Sequence, residues 1–204
     1  MNHQLQIKHL GSQDYQDSWN SMRATISGKT QEDKDEVWLL EHPPVFTIGH
    51  AGSKDNLLES GAIPVIRSDR GGEITFHGPG QLVVYFMINL KRRGWGPKRL
   101  VQELEELIIN LLKLYAIEAE RKTGFPGIYV EEKKIASIGL KINRGFSYHG
   151  ISLNVDMDMS PFKQINPCGI SSLQLTQMKD LTDVAMDDVR NNFAKAIEDH
   201  FDNI

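Results

Sequence analysis

A leucine-faced helix in the middle of the chain separates two groups of short strand-like runs, and this order limits the possible folds more than any other feature. The helix follows Gly96-Pro97, with proline in the first turn, where its missing N–H is not needed. Leu100, Leu104, Leu107, Leu111 and Leu114 recur along it at helical spacing. Before it, residues 37–40, 45–48, 63–67, 74–76 and 82–88 read as strands around a Pro43-Pro44 break. After it, 127–130, 135–142 and 148–155 read the same way, with 131–133 as a hairpin turn. The runs 74–76 and 82–88 look like a pair joined through Gly78-Pro79-Gly80, while 28–36 and 160–169 read as loops. Tyr15, Trp19, Met22 and Ile26 mark an early helix. A last helix starts near Thr182 or Asp183 and turns Val189, Phe193 and Ile197 inward. Strands that cluster rather than alternate with helices predict an α+β fold, a mixed or antiparallel sheet flanked by helices, over a doubly wound one.

The 204 residues suit one domain spanning 1–204. A formal charge of -4 gives no electrostatic reason to bind nucleic acid. The single cysteine rules out an internal disulfide and fits a reducing cytoplasm. The N-terminal residues carry no apolar signal region, and no apolar run approaches the ~20 residues of a membrane span. The expectation is a cytoplasmic protein with no membrane attachment. The seven histidines show no H-x-H, H-E-x-x-H or cysteine-paired spacing, so no metal site is expected. No G-x-S-x-G elbow supports a serine hydrolase.

Three stretches carry chemical potential. In the first, Arg70-Gly71-Gly72-Glu73-Ile74-Thr75-Phe76-His77-Gly78-Pro79-Gly80, four glycines in eleven residues allow close backbone approach to a ligand or two tight turns. It is neither a P-loop nor a dinucleotide fingerprint. The second, Lys133-Lys134-Ile135-Ala136-Ser137-Ile138-Gly139, sets a lysine at the head of a strand of small residues, aimed either into a pocket or into solvent. The third joins His149-Gly150-Ile151-Ser152 to Pro167-Cys168-Gly169, where a lone thiol sits on a turn. Such a cysteine is either a small buried hydrophobe or a nucleophile.

Taken together, RGGEITFHGPGQLVVY (70–85), KIASIGLKI (134–142), FSYHGISLNV (146–155) and INPCG (165–169) resemble the lipoyl(octanoyl) transferase family of the lipoate-protein ligase B type. The resemblance runs in order from about His42 to Gly169; Phe76 stands where tyrosine is expected and Met159 where leucine is. It implies a biotin/lipoate-protein-ligase-like fold, related to class II synthetase cores. It also implies transfer of an octanoyl group from acyl carrier protein to a lipoyl-domain lysine, with no cofactor. By that resemblance Cys168 is the acyl acceptor and Lys134 its partner. Arg70, Gly71, Gly72, Glu73, Ile74, Thr75, Phe76, His77, Ser137, Ile138, Gly139, Gly150, Ile151 and Ser152 line the acyl site, with His149 in support. The implied partners are octanoyl-acyl carrier protein as donor, and the lipoyl domains of 2-oxoacid dehydrogenases and the glycine cleavage H protein as acceptors. The chain is expected to act as a monomer.

These residue types suit that reaction. A thioester needs no ATP activation, and a thiolate exchanges with it readily. An ammonium ~4 Å from a thiolate supplies ~4 kcal/mol at an effective dielectric of ~20, enough to hold the anion near neutral pH. Backbone N–H groups of the glycine-rich segments suit the oxyanion, and His77 either donates to it or orients the loop. Lys91, Arg92, Arg93, Lys98 and Arg99 offer a basic patch for acidic partners. The competing functions are an ATP-dependent lipoate or biotin ligase on the same fold, a noncatalytic ligase-like binding protein, and a cysteine hydrolase. Cys168 separates the first from an acyl-thioester mechanism, since an adenylate route has no use for a thiol.

Overall fold

The computed structural model describes residues 5–59, 61–169 and 173–202; the side chains of Cys168 and Asp202 lie outside that description. The chain begins with strand β1 (Leu5–Ser12), helix α1 (Tyr15–Gly28), β2 (Asp35–Glu41), β3 (Val45–Ile48), β4 (Val65–Arg67), β5 (Ile74–His77) and β6 (Gln81–Met87). It continues through the short helix α2 (Leu90–Arg93), the long helix α3 (Pro97–Leu114), β7 (Glu120–Lys122), β8 (Phe125–Val130), β9 (Lys133–Asn143), β10 (Phe146–Asn154) and helix α4 (Met186–Asp202). Short 3-10 turns, including Pro167–Gly169, lie between β10 and α4.

A seven-stranded sheet runs β1-β2-β6-β10-β9-β8-β7, with a three-stranded sheet β4-β3-β5 beside it. Both are mixed: β1–β2 and β3–β4 are parallel pairs, and the rest are antiparallel. Strand alternation fixes the layers. From β6, Leu82, Val84 and Phe86 join the leucines of α3 and Val189, Phe193 and Ile197 of α4. The intervening Val83, Tyr85 and Met87 pack with Met22 and Ile26 of α1. The central strand β10 is buried at all nine positions because both its faces are covered. Asp14 caps α1 by accepting from the Asp17 N–H, which places Tyr15 at the buried start of that helix.

The α+β expectation holds, with four differences of detail. Segments 74–76 and 82–88 are not a hairpin: β5 belongs to the small sheet and β6 to the large one. Gly80 (φ 84°) carries the chain between them so close to Asp156 that a Cβ would lie 1.8 Å from its carbonyl oxygen. The N–H groups of Val155 and Asp156 both donate to the Gly80 carbonyl, which locks the crossing. Leu114, the fifth of the leucine series, is 67 % exposed at the helix end, and Ile108 and Leu112 complete the buried stripe instead. The last helix starts at Met186, because 178–182 close a turn of their own through N–H groups of Leu181 and Thr182 on the Met178 carbonyl. β1, β7 and α2 carried too weak a pattern to be read: β1 and β7 are edge strands with no fully buried side chain, and α2 is one turn long.

Candidate active site

Lys134 enters the interior because its neighbour strand has no side chain in the way. It is 2 % exposed, and its Nζ donates to the Pro126 carbonyl at 3.0 Å and lies 5.3 Å from the Tyr129 ring centroid. Gly127 (φ 121°) faces it; a Cβ there would be 3.1 Å from Lys134 Cε and 2.5 Å from the Ala136 carbonyl oxygen. The Lys134 backbone is clamped as well, donating to the Gln174 carbonyl and accepting from the Thr176 N–H. Lys133, one residue earlier on the alternating strand, faces solvent.

The 70–73 loop lies across β9. The Gly71 N–H donates to the Leu140 carbonyl at 2.8 Å, and a Cβ at Gly139 would lie 2.9 Å from the Gly71 carbonyl oxygen. These glycines therefore bring two backbones together, which a side chain on either would prevent. Arg70 is buried: its guanidinium donates to the Thr47 hydroxyl and carbonyl and to its neighbour's carbonyl.

His77 is a buried anchor of this loop. Gln81 gives its amide N–H groups to the Phe76 carbonyl and Asn154 Oδ1, so its Oε1 accepts from His77 Nδ1 at 2.7 Å. Nε2 then accepts from the Thr47 hydroxyl at 3.2 Å. Burial, reinforced by the nearby His42 and Arg70, holds the His77 pKa well below its ordinary value, so the ring is neutral. With both nitrogens engaged, the geometry favours orienting the loop over donating to an oxyanion.

A second buried group surrounds His149. Its φ of 60° is left-handed, at a cost of about 1–2 kcal/mol for a residue with a Cβ. Regular alternation would send it to the α3–α4 face; instead its ring stacks on Tyr148, centroids 5.0 Å apart, on the α1 face. Asp69 ties the pair together, accepting from His149 Nε2 at 2.9 Å and from the Tyr148 hydroxyl. Burial by itself would raise the Asp69 carboxyl, but these two hydrogen bonds outweigh it and hold its pKa at about 2. Burial pushes His149 down against the pull of Asp69. His42 lies behind: its Nδ1 donates to the Gln13 carbonyl at 2.6 Å, its Nε2 accepts from the Tyr85 hydroxyl at 2.7 Å, and burial lowers its pKa to about 4.

Lys134, the 70–73 loop, His77, Tyr85 and His149 border one largely apolar cavity of about 610 Å³, with His42 and Asp69 behind its lining. Of the residues expected at the acyl site, Arg70, Gly71, Gly72, Glu73, Ile74, Thr75 and His77 line it from the loop and β5. Lys134, Ser137, Ile138 and Gly139 line it from β9, and His149, Gly150, Ile151 and Ser152 from β10. Phe76 does not join them: it packs with Phe46 and Phe162 in the core of the small sheet. The Cys168 backbone lies in the Pro167–Gly169 turn, its side chain being outside the described residues. The turn approaches the cavity, since Pro167 lines it and a Cβ at Gly169 would lie 3.7 Å from the Glu73 carboxyl carbon. No group of three or more potential metal ligands occurs among the described residues.

Sequence reasoning missed Tyr15, Tyr85, Asp69, Thr47, Gln81 and His42 as parts of this site. Each is a common residue whose role comes from a partner 23 or more residues away or across a sheet. Only the end of the 70–85 motif, which contains Gln81 and Tyr85, hinted at two of them. The basic patch also shrinks: Arg92 and Arg93 are committed to the buried Asp35, and Arg99 pairs with Glu103.

The model of the lipoyl protein ligase A/B catalytic domain matches residues 14–198. This chain belongs to that family. Within the lipoyl protein ligase A/B family, an octanoyltransferase from Shewanella pealeana is 52 % identical over 177 residues, covering 87 % of this chain and 81 % of the relative. A crystal structure of lipoate-protein ligase A bound with ATP superposes with a TM-score of 0.81 at 16 % identity, covering 98 % of this chain and 86 % of that one. Biotin protein ligase from Aquifex aeolicus in complex with biotin and ATP gives 0.61 at 15 % identity over 97 % and 72 %. The fold is thus the biotin/lipoate ligase type, and at such identity these two structures speak to fold alone.

Proposed function

We propose that this chain is an octanoyltransferase that moves an octanoyl group from acyl carrier protein to the lysine of a lipoyl domain. What carries the reading is the likeness to octanoyltransferases over most of the chain, combined with a buried lysine on an apolar cavity beside the Cys168 turn. Residues 1–204 act as one catalytic domain and as a monomer in the cytoplasm. No described helix is long and apolar enough to cross a membrane.

The chemistry runs in two steps. The Cys168 thiolate attacks the donor thioester carbonyl; the tetrahedral intermediate collapses, the carrier's C–S bond breaks, and the Lys134 ammonium gives its proton to the departing thiolate. The acceptor lysine, as a free amine, then attacks the Cys168 thioester. Its proton goes to the Lys134 amine, the second C–S bond breaks, and Cys168 leaves as thiolate beside a restored ammonium. The proton count closes over one cycle, and no nucleotide is consumed. Backbone N–H groups near the 70–73 loop suit the oxyanion, because fixed dipoles need no reorganisation. Donors are octanoyl-acyl carrier protein, and acceptors are lipoyl domains of 2-oxoacid dehydrogenases and the glycine cleavage H protein.

The test supplies an acceptor domain with either octanoyl-carrier protein or free octanoate plus ATP and Mg²⁺. Modification from the carrier alone supports the reading; modification only from octanoate with ATP overturns it in favour of a ligase.

A further inference from the structure

A run of side-chain hydrogen bonds leads from the glycine loop toward the backbone of Lys134. It starts at Arg70, whose guanidinium donates to the Thr47 hydroxyl at 2.8 Å. That hydroxyl donates to His77 Nε2 at 3.2 Å, His77 Nδ1 donates to Gln81 Oε1 at 2.7 Å, and Gln81 Nε2 donates to Asn154 Oδ1 at 3.0 Å. Asn154 Nδ2 then donates to the Thr176 carbonyl at 3.0 Å. Gln81 and Asn154 are cross-strand partners of β6 and β10, which sets their side chains on one face. Thr47, His77, Gln81, Asn154 and Thr176 are all buried.

The two ends of the run impose the same direction on it. Arg70 can only donate, so the Thr47 hydrogen is left for His77; the Thr176 carbonyl can only accept, so Asn154 must turn its nitrogen there and its oxygen to Gln81. Links aligned in this way polarise and strengthen one another. The last link matters most for the site. Segment 174–176 runs parallel beside Lys134, whose N–H donates to the Gln174 carbonyl at 2.9 Å and whose carbonyl accepts from the Thr176 N–H at 3.0 Å. Gln174 follows Gly169 by five positions, so the segment that clamps Lys134 also continues the Cys168 turn. Asn154 supplies the side-chain bond that fastens this segment to β10. Neither Gln81 nor Asn154 is among the residues that line the cavity, so their action is through the backbone and not on the substrate.

We infer that Asn154, oriented by Gln81, is a positioning residue: it holds segment 174–176 against β9 and so sets the Lys134 amine relative to the Cys168 turn. The inference rests on the acyl-transfer reading and adds the residue pair that aligns its two reacting groups.

The experiment follows alkylation of Cys168 by iodoacetamide from pH 5 to 10 in the wild type, Asn154→Leu, Gln81→Met and Lys134→Ala. Cys168 is the chain's one cysteine, so the rate reports its thiolate alone. Asn154→Leu and Gln81→Met neither add nor remove a charge, and Glu73, the carboxylate beside the turn, is common to all four chains. The wild-type midpoint is expected below the ordinary ~8.5 of a free thiol, and that of Lys134→Ala near it. Asn154→Leu should move the midpoint at least halfway from the first to the second. It should also lower single-turnover transfer by about tenfold or more, with KM for octanoyl-carrier protein within about threefold of wild type. Gln81→Met should move the midpoint in the same direction by less, and it decides the matter if thermal melting shows that Asn154→Leu does not fold. A folded variant with a lower melting temperature but a wild-type midpoint and transfer rate overturns the positioning role. A Lys134→Ala chain with the wild-type midpoint overturns the Lys134–Cys168 pairing itself, so the two failures are distinguishable.

Discussion

Gly127 lies where any side chain would strike Lys134: a Cβ at that position would sit 3.1 Å from Lys134 Cε and 2.5 Å from the Ala136 carbonyl oxygen. The φ of 121° adds a backbone reason for glycine. Gly127→Ala is therefore expected to displace the ammonium by a fraction of an ångström or more while leaving most of the sheet intact. Since misplacement by ~1 Å can cost about 10²-fold, kcat should fall by that order, with a circular dichroism spectrum like that of the wild type. A wild-type kcat would show that the position of Lys134 does not matter.

Removing the amine itself should cost more. Lys134→Ala is expected to lose about 10²–10⁴-fold in transfer, the usual range for a proton-transfer group. Lys134→Arg should be nearly as poor, because a guanidinium keeps the charge but does not release its proton near neutral pH. Single-turnover assays from octanoyl-carrier protein measure both, and full activity in the two variants would remove lysine from the mechanism.

The buried histidines make stability depend on pH in a defined direction. His42 titrates at about 4 in the folded chain, below its ordinary 6.5, so the unfolded state binds protons more readily between those values. Its stabilising contribution is complete above pH ~6.5 and is lost as pH falls toward 4. The full shift corresponds to roughly 3 kcal/mol. Urea melts at pH 7.5, 6 and 4.5 should show declining stability, and His42→Gln should flatten that decline. An equal pH dependence in the variant would assign the loss to other groups.

The turn between β8 and β9 holds Glu131 and Glu132 at φ 45° and 70°, both in the left-handed region. Two-residue hairpins of this shape favour Asn-Gly, which carries less strain there. The double replacement Glu131→Asn with Glu132→Gly is expected to raise stability by up to about 1 kcal/mol, seen as a melting increase of ~2–4 °C. Lower stability would mean that one of the glutamates does more in the folded chain than turn the backbone.

The layers of the fold were legible in the sequence because they rest on local periodicity. The alternation that divides β6 between two cores and the leucine stripe of α3 are both patterns within one element. Edge strands such as β1 escaped because they bury too little to leave a pattern. The 74–88 segment was misread as a hairpin because Gly78-Pro79-Gly80 has hairpin composition. Only the contact of Gly80 with Asp156, 76 residues on, shows that the chain changes sheets there. The same distinction holds at the site. Lys134 and the glycine loop stand out in short motifs. The Asp69–His149 and Thr47–His77 bonds join residues far apart in sequence, and the left-handed turn at His149 has no signature in residue type.

The central claim is that a sulfur atom carries the acyl group between two proteins. Intact mass of the chain after incubation with octanoyl-carrier protein, without acceptor, tests it most directly. The account predicts one octanoyl adduct, removed by neutral hydroxylamine and absent in Cys168→Ser. A Cys168→Ser chain that still modifies lipoyl domains at the wild-type rate, with no adduct on the wild type, would contradict it.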